Sequence, residues 1–127
     1  MLIRHNPVGV APPFSPYSHA VEAPPDARWL HISGQVGVQA DGSLAKEPQA
    51  QMEQTWRNLL AVLQAASMGP HDLVQVTAYL TRPDDIALFR EVRDTLLDGA
   101  QPASTLVIVA GLAHPDWLVE IEAVAAA

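Results

Sequence analysis

The stretch PASTLVIVAGLAHPDWLVEIEAVA, Pro102 to Ala125, decides the fold. It predicts two consecutive strands, Thr105 to Ala110 and Trp117 to Ala125, because each apolar segment is bounded by Gly or Pro-Asp turn residues. The unbroken apolar run Leu106 to Val109 is typical of a strand that is covered on both faces. The end of the chain is therefore expected to form part of the core sheet.

The second of these strands alternates in polarity. Val119, Ile121 and Ala123 point to one face, and Glu120 and Glu122 point to the other, because successive side chains in a strand alternate. The strand rise places the two carboxylates about 6.5 to 7 Å apart. Such a pair either lines a site or faces water.

Two amphipathic helices precede this stretch. The first is predicted over Pro48 to Met68, with Pro48 in the first turn and Gly69 after the last residue. Its apolar stripe has helical spacing and is expected in the core: Met52, Trp56, Leu59, Leu60 and Leu63. The second begins at Pro83 and ends near Gly99, with a stripe of Ile86, Phe89, Val92 and Leu96.

Further strands are predicted at Asp72 to Leu80 and Trp29 to Ser33, with short ones at Leu2 to Arg4 and Ala20 to Ala23. Gly34 and Gly37 follow directly and predict a bulge or a close backbone approach. The order predicts an α+β fold, a mixed sheet with both helices on one face. The other face is half apolar, which is typical of a homo-oligomer.

Composition limits the function. The 127 residues suggest a single domain, 1–127, and the net charge of −7 disfavours a nucleic-acid surface. The sequence has no cysteine, no signal peptide pattern and no apolar run of about 20 residues, so a soluble cytoplasmic protein without membrane contact is expected.

Catalytic motifs are few. Glycine-rich nucleotide motifs and a serine nucleophile elbow are absent, and the five histidines have no metal-ligand spacing, so no metal or cofactor is predicted. Glu120 is the best candidate for a general base, because a carboxylate on a half-buried sheet face can have its pKa tuned by its surroundings. A solvated acidic face remains the alternative.

Several short motifs occur together in a specific order. They are Ser15-Pro16-Tyr17, Ile32-Ser33-Gly34-Gln35-Val36, the helix from Gln54 to Gly69, Asp72 to Thr77, Pro102-Ala103-Ser104-Thr105 and Val119 to Ala123. With these motifs the sequence resembles the Rid/YjgF (L-PSP) family over nearly its whole length. The resemblance implies a chorismate-mutase-like fold, a homotrimer closed as a barrel, and small-molecule sites between subunits. In the best-known branch the activity is cofactor-free hydrolysis of imines or enamines to ketones and ammonia.

The resemblance also implies site residues. Tyr17 and Ser33 would line the cleft, Gly34 would offer its backbone N–H, and Glu120 would position the attacking water. The backbone carbonyl of Leu106 stands where the family contacts the substrate nitrogen.

One position departs from the imine-deaminase branch. The residue after Pro-Ala is an arginine there, and it clamps the substrate carboxylate; here it is Ser104. Losing a bidentate, charge-assisted contact costs roughly 2–5 kcal/mol of binding. Arg90 stands where that branch often has asparagine, and is either a substitute cation or a solvated helix residue.

Three functions are consistent with the sequence. The first is a Rid-like hydrolase or deaminase whose substrate is not the usual 2-imino acid. The second is a non-catalytic trimer that binds a small metabolite. The third is an endoribonuclease of the L-PSP type, which the acidic charge disfavours.

Overall fold

Six strands and two helices form the fold, and the computed structural model describes all residues from Met1 to Ala127. The elements are β1 (Ile3–His5), β2 (Ala20–Glu22), β3 (Trp29–Gln35), α1 (Pro48–Ala65), β4 (Leu73–Leu80), α2 (Ile86–Leu96), β5 (Ala103–Ile108) and β6 (Val119–Ala126). Short 3-10 turns precede β4 and α2, at Pro70–Asp72 and Pro83–Asp85. This confirms the predicted α+β fold.

The main sheet has four strands in the order β3-β6-β4-β5, and β1 and β2 form a separate antiparallel pair. β6 runs antiparallel to both of its neighbours, whereas β4 and β5 are parallel. The sheet is therefore mixed. The last strand in sequence, which was expected to form part of the core sheet, lies in the interior of the sheet.

Both helices cover one face of the sheet. Val119, Ile121 and Ala123 of β6 are buried on that face, and the predicted stripe residue Trp56 has no exposed surface. Trp56 and Phe89 bring the two helices together, with ring centroids 5.8 Å apart. We call the uncovered side, which carries Glu120 and Glu122, the open face. Neither helix is long and apolar enough to cross a membrane.

The bounds of several elements differ from the sequence prediction, and three of the differences are informative. α1 ends at Ala65 rather than at Met68, and Ser67, with a φ of 57°, takes the left-handed position expected near Gly69. α2 begins at Ile86, after a 3-10 turn that contains Pro83.

The third difference concerns β5, which is not covered on both faces. β5 is an edge strand whose only neighbour in the sheet is β4. Val107 and Ile108 keep 37% and 42% of their surface exposed. The apolar run of β5 therefore does not indicate a strand that is buried within one chain. It leaves apolar side chains exposed at the edge of the sheet.

Candidate functional site

A β-bulge brings three predicted site residues together. Ile32 pairs with Ala123 and Gln35 pairs with Ile121. Two residues of β3, Ser33 and Gly34, therefore stand opposite a single residue of β6. The predicted bulge is thus present. It turns the backbone of β3 toward the next acidic residue of β6, Glu120.

The carboxylate of Glu120 lies directly over Gly34. A Cβ built on Gly34 would overlap Oε2 of Glu120 and would lie 2.8 Å from its Cδ atom. Only glycine therefore permits this position of the carboxylate. Ser33, which is exposed, precedes Gly34, and its carbonyl accepts a hydrogen bond from the Gln35 side chain at 3.1 Å. We call Ser33, Gly34 and Glu120 the bulge group.

Two amides on α1 hold the segment that follows the bulge. Asn58 donates from Nδ2 to the carbonyls of Val36 and Val38, both at 2.9 Å. Gln51, fully buried, packs so tightly on Gly37 that a Cβ there would lie 2.7 Å from the Gln51 carbonyl oxygen. The close approach predicted at Gly37 is therefore confirmed.

Gly34 and Gly37 are expected to respond differently to alanine. Gly37→Ala should cost about 2–3 kcal/mol of unfolding free energy, because the new methyl meets the backbone of Gln51, which cannot move freely. Gly34→Ala should cost less than about 1 kcal/mol, because only the end of the Glu120 side chain must move. Urea denaturation measures both values. Equal losses of unfolding free energy would contradict the expectation that at Gly34 only the end of the Glu120 side chain has to move.

Three more of the predicted residues lie at the other edge of the sheet. Ser18, which is buried, donates from Oγ to the Gln101 carbonyl at 2.6 Å and from its N–H to the Pro102 carbonyl at 3.0 Å. These bonds fix the neighbouring Tyr17 beside the start of β5, the strand that contains Ser104. We call Tyr17, Ser104 and Leu106 the edge group.

The edge group and the bulge group do not meet within one chain. Glu120 pairs with Tyr79 of β4, and Tyr79 pairs with Val107 of β5. β4 therefore separates the two groups by about 10 Å across the sheet. Ser104 pairs with the buried Val76, so its side chain faces the helices, whereas Glu120 is on the open face.

Arg90 belongs to neither group. It is exposed on α2 and makes no hydrogen bond or ion pair. Because α2 covers the face opposite to Glu120, the two side chains of one chain lie on different sides of the sheet. The cation that α2 buries is Arg93, which is 5% exposed. Its spacing of four residues from Phe89 places it in the buried stripe, and this signal was present in the sequence.

The open face carries a shallow groove of about 260 Å³. Its lining mixes polar and apolar side chains: His31, Ile32, Gln75, Thr77, Glu122, Ala123 and Val124. Beside the groove, the hydroxyl of Tyr79 donates to Glu122 at 3.2 Å. Partial burial, and then the negative charges of Glu122 and Glu120, raise the pKa of Tyr79 above its usual value of 10.

We expect the pKa of Tyr79 to fall toward 10 in Glu122→Gln and to remain above it, because burial, the largest cause, is unchanged. The raised pKa stabilises the fold below pH 10, and this stabilisation is lost as the pH rises through the folded-state pKa. Absorbance at 295 nm in a Tyr17→Phe background follows Tyr79 alone, because the chain has two tyrosines. An unchanged titration in Glu122→Gln would exclude the hydrogen bond as a cause.

The chain is similar to known proteins over nearly its whole length. The model of the family described as endoribonuclease L-PSP matches residues 8–127. The crystal structure of the Rid family protein YyfB from Yersinia pestis superposes on this chain with a TM-score of 0.88, and the two sequences are 37% identical. The superposition covers 98% of this chain and 97% of YyfB.

Two further relatives have informative names. A 2-iminobutanoate/2-iminopropanoate deaminase of Mus musculus is 34% identical over 116 residues, which are 87% of this chain and 80% of the mouse protein. The crystal structure of TdcF from E. coli with bound serine has a TM-score of 0.73 and 28% identity, with 89% of each chain covered.

Proposed function

Because the chain belongs to the endoribonuclease L-PSP family, the Rid/YjgF family of its structural relatives, we propose that it hydrolyses a small imine or enamine to a ketone and ammonia. The observation that carries the proposal is the Glu120 carboxylate seated over Gly34 at the bulge. A deaminase among the relatives and a relative with bound serine support a small, amino-acid-derived ligand.

The proposed reaction needs only water and one base. Glu120 accepts a proton from water as its oxygen attacks the imine carbon, and the C=N double bond becomes a single bond. The nitrogen receives a proton, which gives a carbinolamine. Loss of ammonia from that carbinolamine forms the ketone, so no oxidant, metal or cofactor is required. Gly34 N–H and the hydroxyl of Ser33 would orient the substrate.

We propose that two copies of the chain build each site. The edge group and the bulge group lie on different strands and faces of one chain, so they can share a ligand only across an interface. The exposed apolar residues Val107 and Ile108 on the unpaired edge of β5 support such an interface. Three copies closed around an axis, a homotrimer, would give three equivalent sites.

Ser104 supports a second candidate function. A short neutral hydroxyl replaces the arginine of the imine-deaminase branch, so the site can hold a metabolite that is not an imine and perform no chemistry on it. RNA cleavage is not proposed, because the net charge of −7 and the carboxylates of the open face would repel phosphates.

Imine hydrolysis by the wild-type protein tests the proposal. An amino-acid oxidase would generate a carboxylate-bearing imine in situ, an amine oxidase would generate one without a carboxylate, and the rate of ketone or aldehyde release would be followed. We expect acceleration of at least one imine and a trimeric mass by light scattering. Saturable ligand binding without acceleration of either imine would favour the binding protein, and a stable monomer at micromolar concentration would contradict the shared site.

A further inference from the structure

Arg93 is a buried cation whose hydrogen-bonding capacity is mostly unused. It lies in the last turn of α2 and is 5% exposed. Its Nε donates to Oδ1 of Asp94 at 3.0 Å, and Nη2 lies 2.9 Å from the same oxygen. The buried Nη2 has no hydrogen bond of adequate geometry. Asp94 therefore uses one edge of the guanidinium, and the other edge is free.

A buried guanidinium with free donors is energetically unfavourable. Its five N–H groups form a planar fork that accepts two oxygens side by side, and a desolvated charge without partners costs free energy. Arg93 hydrogen-bonds through Nε alone. Such an arrangement is stable when a ligand or another charged group supplies the missing oxygens.

Arg93 lines a small pocket near the edge group. The pocket has a volume of about 50 Å³, and Pro16 and Ala100 form its wall together with residues of α2 and its C-terminal turn. Pro16 precedes Tyr17, and Ala100 begins the segment that leads into β5. Ser104 faces the same helical side of the sheet. Arg93 thus lies beneath the chain segments that carry two of the proposed binding residues.

We propose that Arg93 binds the carboxylate of the substrate, and so takes the role that a side chain at position 104 is too short to perform. This inference deepens the proposed function and rests on it for the identity of the substrate. Arg93 would reach the substrate from α2 rather than from β5, and its hydrogen bond to Asp94 orients the guanidinium group. The ligand class is a small organic monocarboxylate.

The surroundings favour a monocarboxylate over a phosphate. The pocket has room for one planar carboxylate group. Asp94, whose side chain is 42% exposed, keeps a negative charge beside the guanidinium and would repel a dianion. A monocarboxylate carries one negative charge and two oxygens, and these match the one free edge of the Arg93 guanidinium group.

Binding of propionate, with propionamide as its neutral analogue, tests the inference. Two-dimensional NMR would follow the Arg93 Nε–H signal, assigned by its loss in Arg93→Lys. We expect propionate to shift this signal saturably and propionamide to leave it unchanged. Arg93→Met should weaken propionate binding at least about tenfold, because a charge-assisted pair is lost. Arg93→Lys should weaken it less, because the charge remains and the fork does not.

Two variants complete the test. Arg57→Met, on the exposed side of α1, should leave propionate binding unchanged. Loss of binding in Arg90→Met with retention in Arg93→Met would assign the carboxylate to Arg90 and overturn the proposal, as would equal binding of propionate and propionamide. Arg93→Met should keep the wild-type thermal midpoint within a few degrees, because methionine fills the buried space and the carboxylate left without its partner, Asp94, is 42% exposed and stays solvated.

Propionate binding does not depend on catalysis. A protein that binds propionate through Arg93 and hydrolyses no imine would refute the proposed enzyme and retain the carboxylate site. A protein that hydrolyses both kinds of imine equally, and whose Arg93→Met variant is unchanged, would retain the enzyme and refute the carboxylate site.

Discussion

Glu120→Gln is expected to lower kcat for imine hydrolysis by about 10²–10⁴-fold, the usual contribution of a general base. Glutamine has the size of glutamate, so it can still lie over Gly34. It cannot accept a proton from water. The substrate would still bind through the edge group, so KM should change little and the loss should appear in kcat.

Glu122→Gln is the matched control for this variant. Glu122 lies two residues further along the same strand and on the same open face, and its carboxylate accepts a hydrogen bond from Tyr79 rather than lying over Gly34. Its kcat should stay within about twofold of the wild-type value. Equal losses in both variants would indicate that the overall negative charge of the face matters, and would remove Glu120 from its catalytic role.

Gln51→Met is expected to lower the unfolding free energy by about 3–5 kcal/mol and the thermal midpoint by about 10–15 °C. Gln51 is fully buried on α1, and its amide satisfies three backbone groups. Nε2 donates to the carbonyls of Ala45 and Asp116 at 3.3 and 3.2 Å, and Oε1 accepts from the N–H of Leu118 at 2.6 Å. Methionine fills the same volume and satisfies none of them.

Gln49→Met provides the control on the same helix. Gln49 is exposed, and its side chain bonds only Glu53 at 3.1 Å, so its replacement should cost less than about 0.5 kcal/mol. Calorimetry and urea denaturation measure both variants. If Gln51→Met lowered the unfolding free energy by less than about 1 kcal/mol, the three backbone groups would be hydrogen-bonded by water in place of the Gln51 amide, and the prediction would be wrong. Because Leu118 leads directly into β6, the same bonds also help to set the position of Glu120.

The sequence predicts most of the fold because its periodicities are strong. The alternation around Glu120 predicts the buried and open faces of β6, and Gly34 and Gly37 predict the bulge and the close approach. The apolar run of β5 is an exception, because Val107 and Ile108 are apolar but remain exposed in the single chain. The prediction of a strand covered on both faces is therefore wrong for the single chain, and only the proposed partner copy would cover these residues.

The site is less predictable because it depends on register. Spacing alone does not show that Gly34 lies beneath Glu120, since this follows from two residues of β3 opposing one of β6. Spacing does separate Arg90 from Arg93, because only Arg93 lies four residues from Phe89 in the buried stripe. It does not show which of the two arginines takes part in a site.

The position of β6 also has a consequence for how the chain folds. β6 follows the other five strands in sequence and lies between β3 and β4 in space. β3 and its partner strand are separated by both helices and two other strands along the chain, so this pairing closes a long loop and we expect it to form slowly. Until it forms, the facing edges of β3 and β4 are unpaired, and we expect the partly synthesised chain to aggregate more readily than the folded protein.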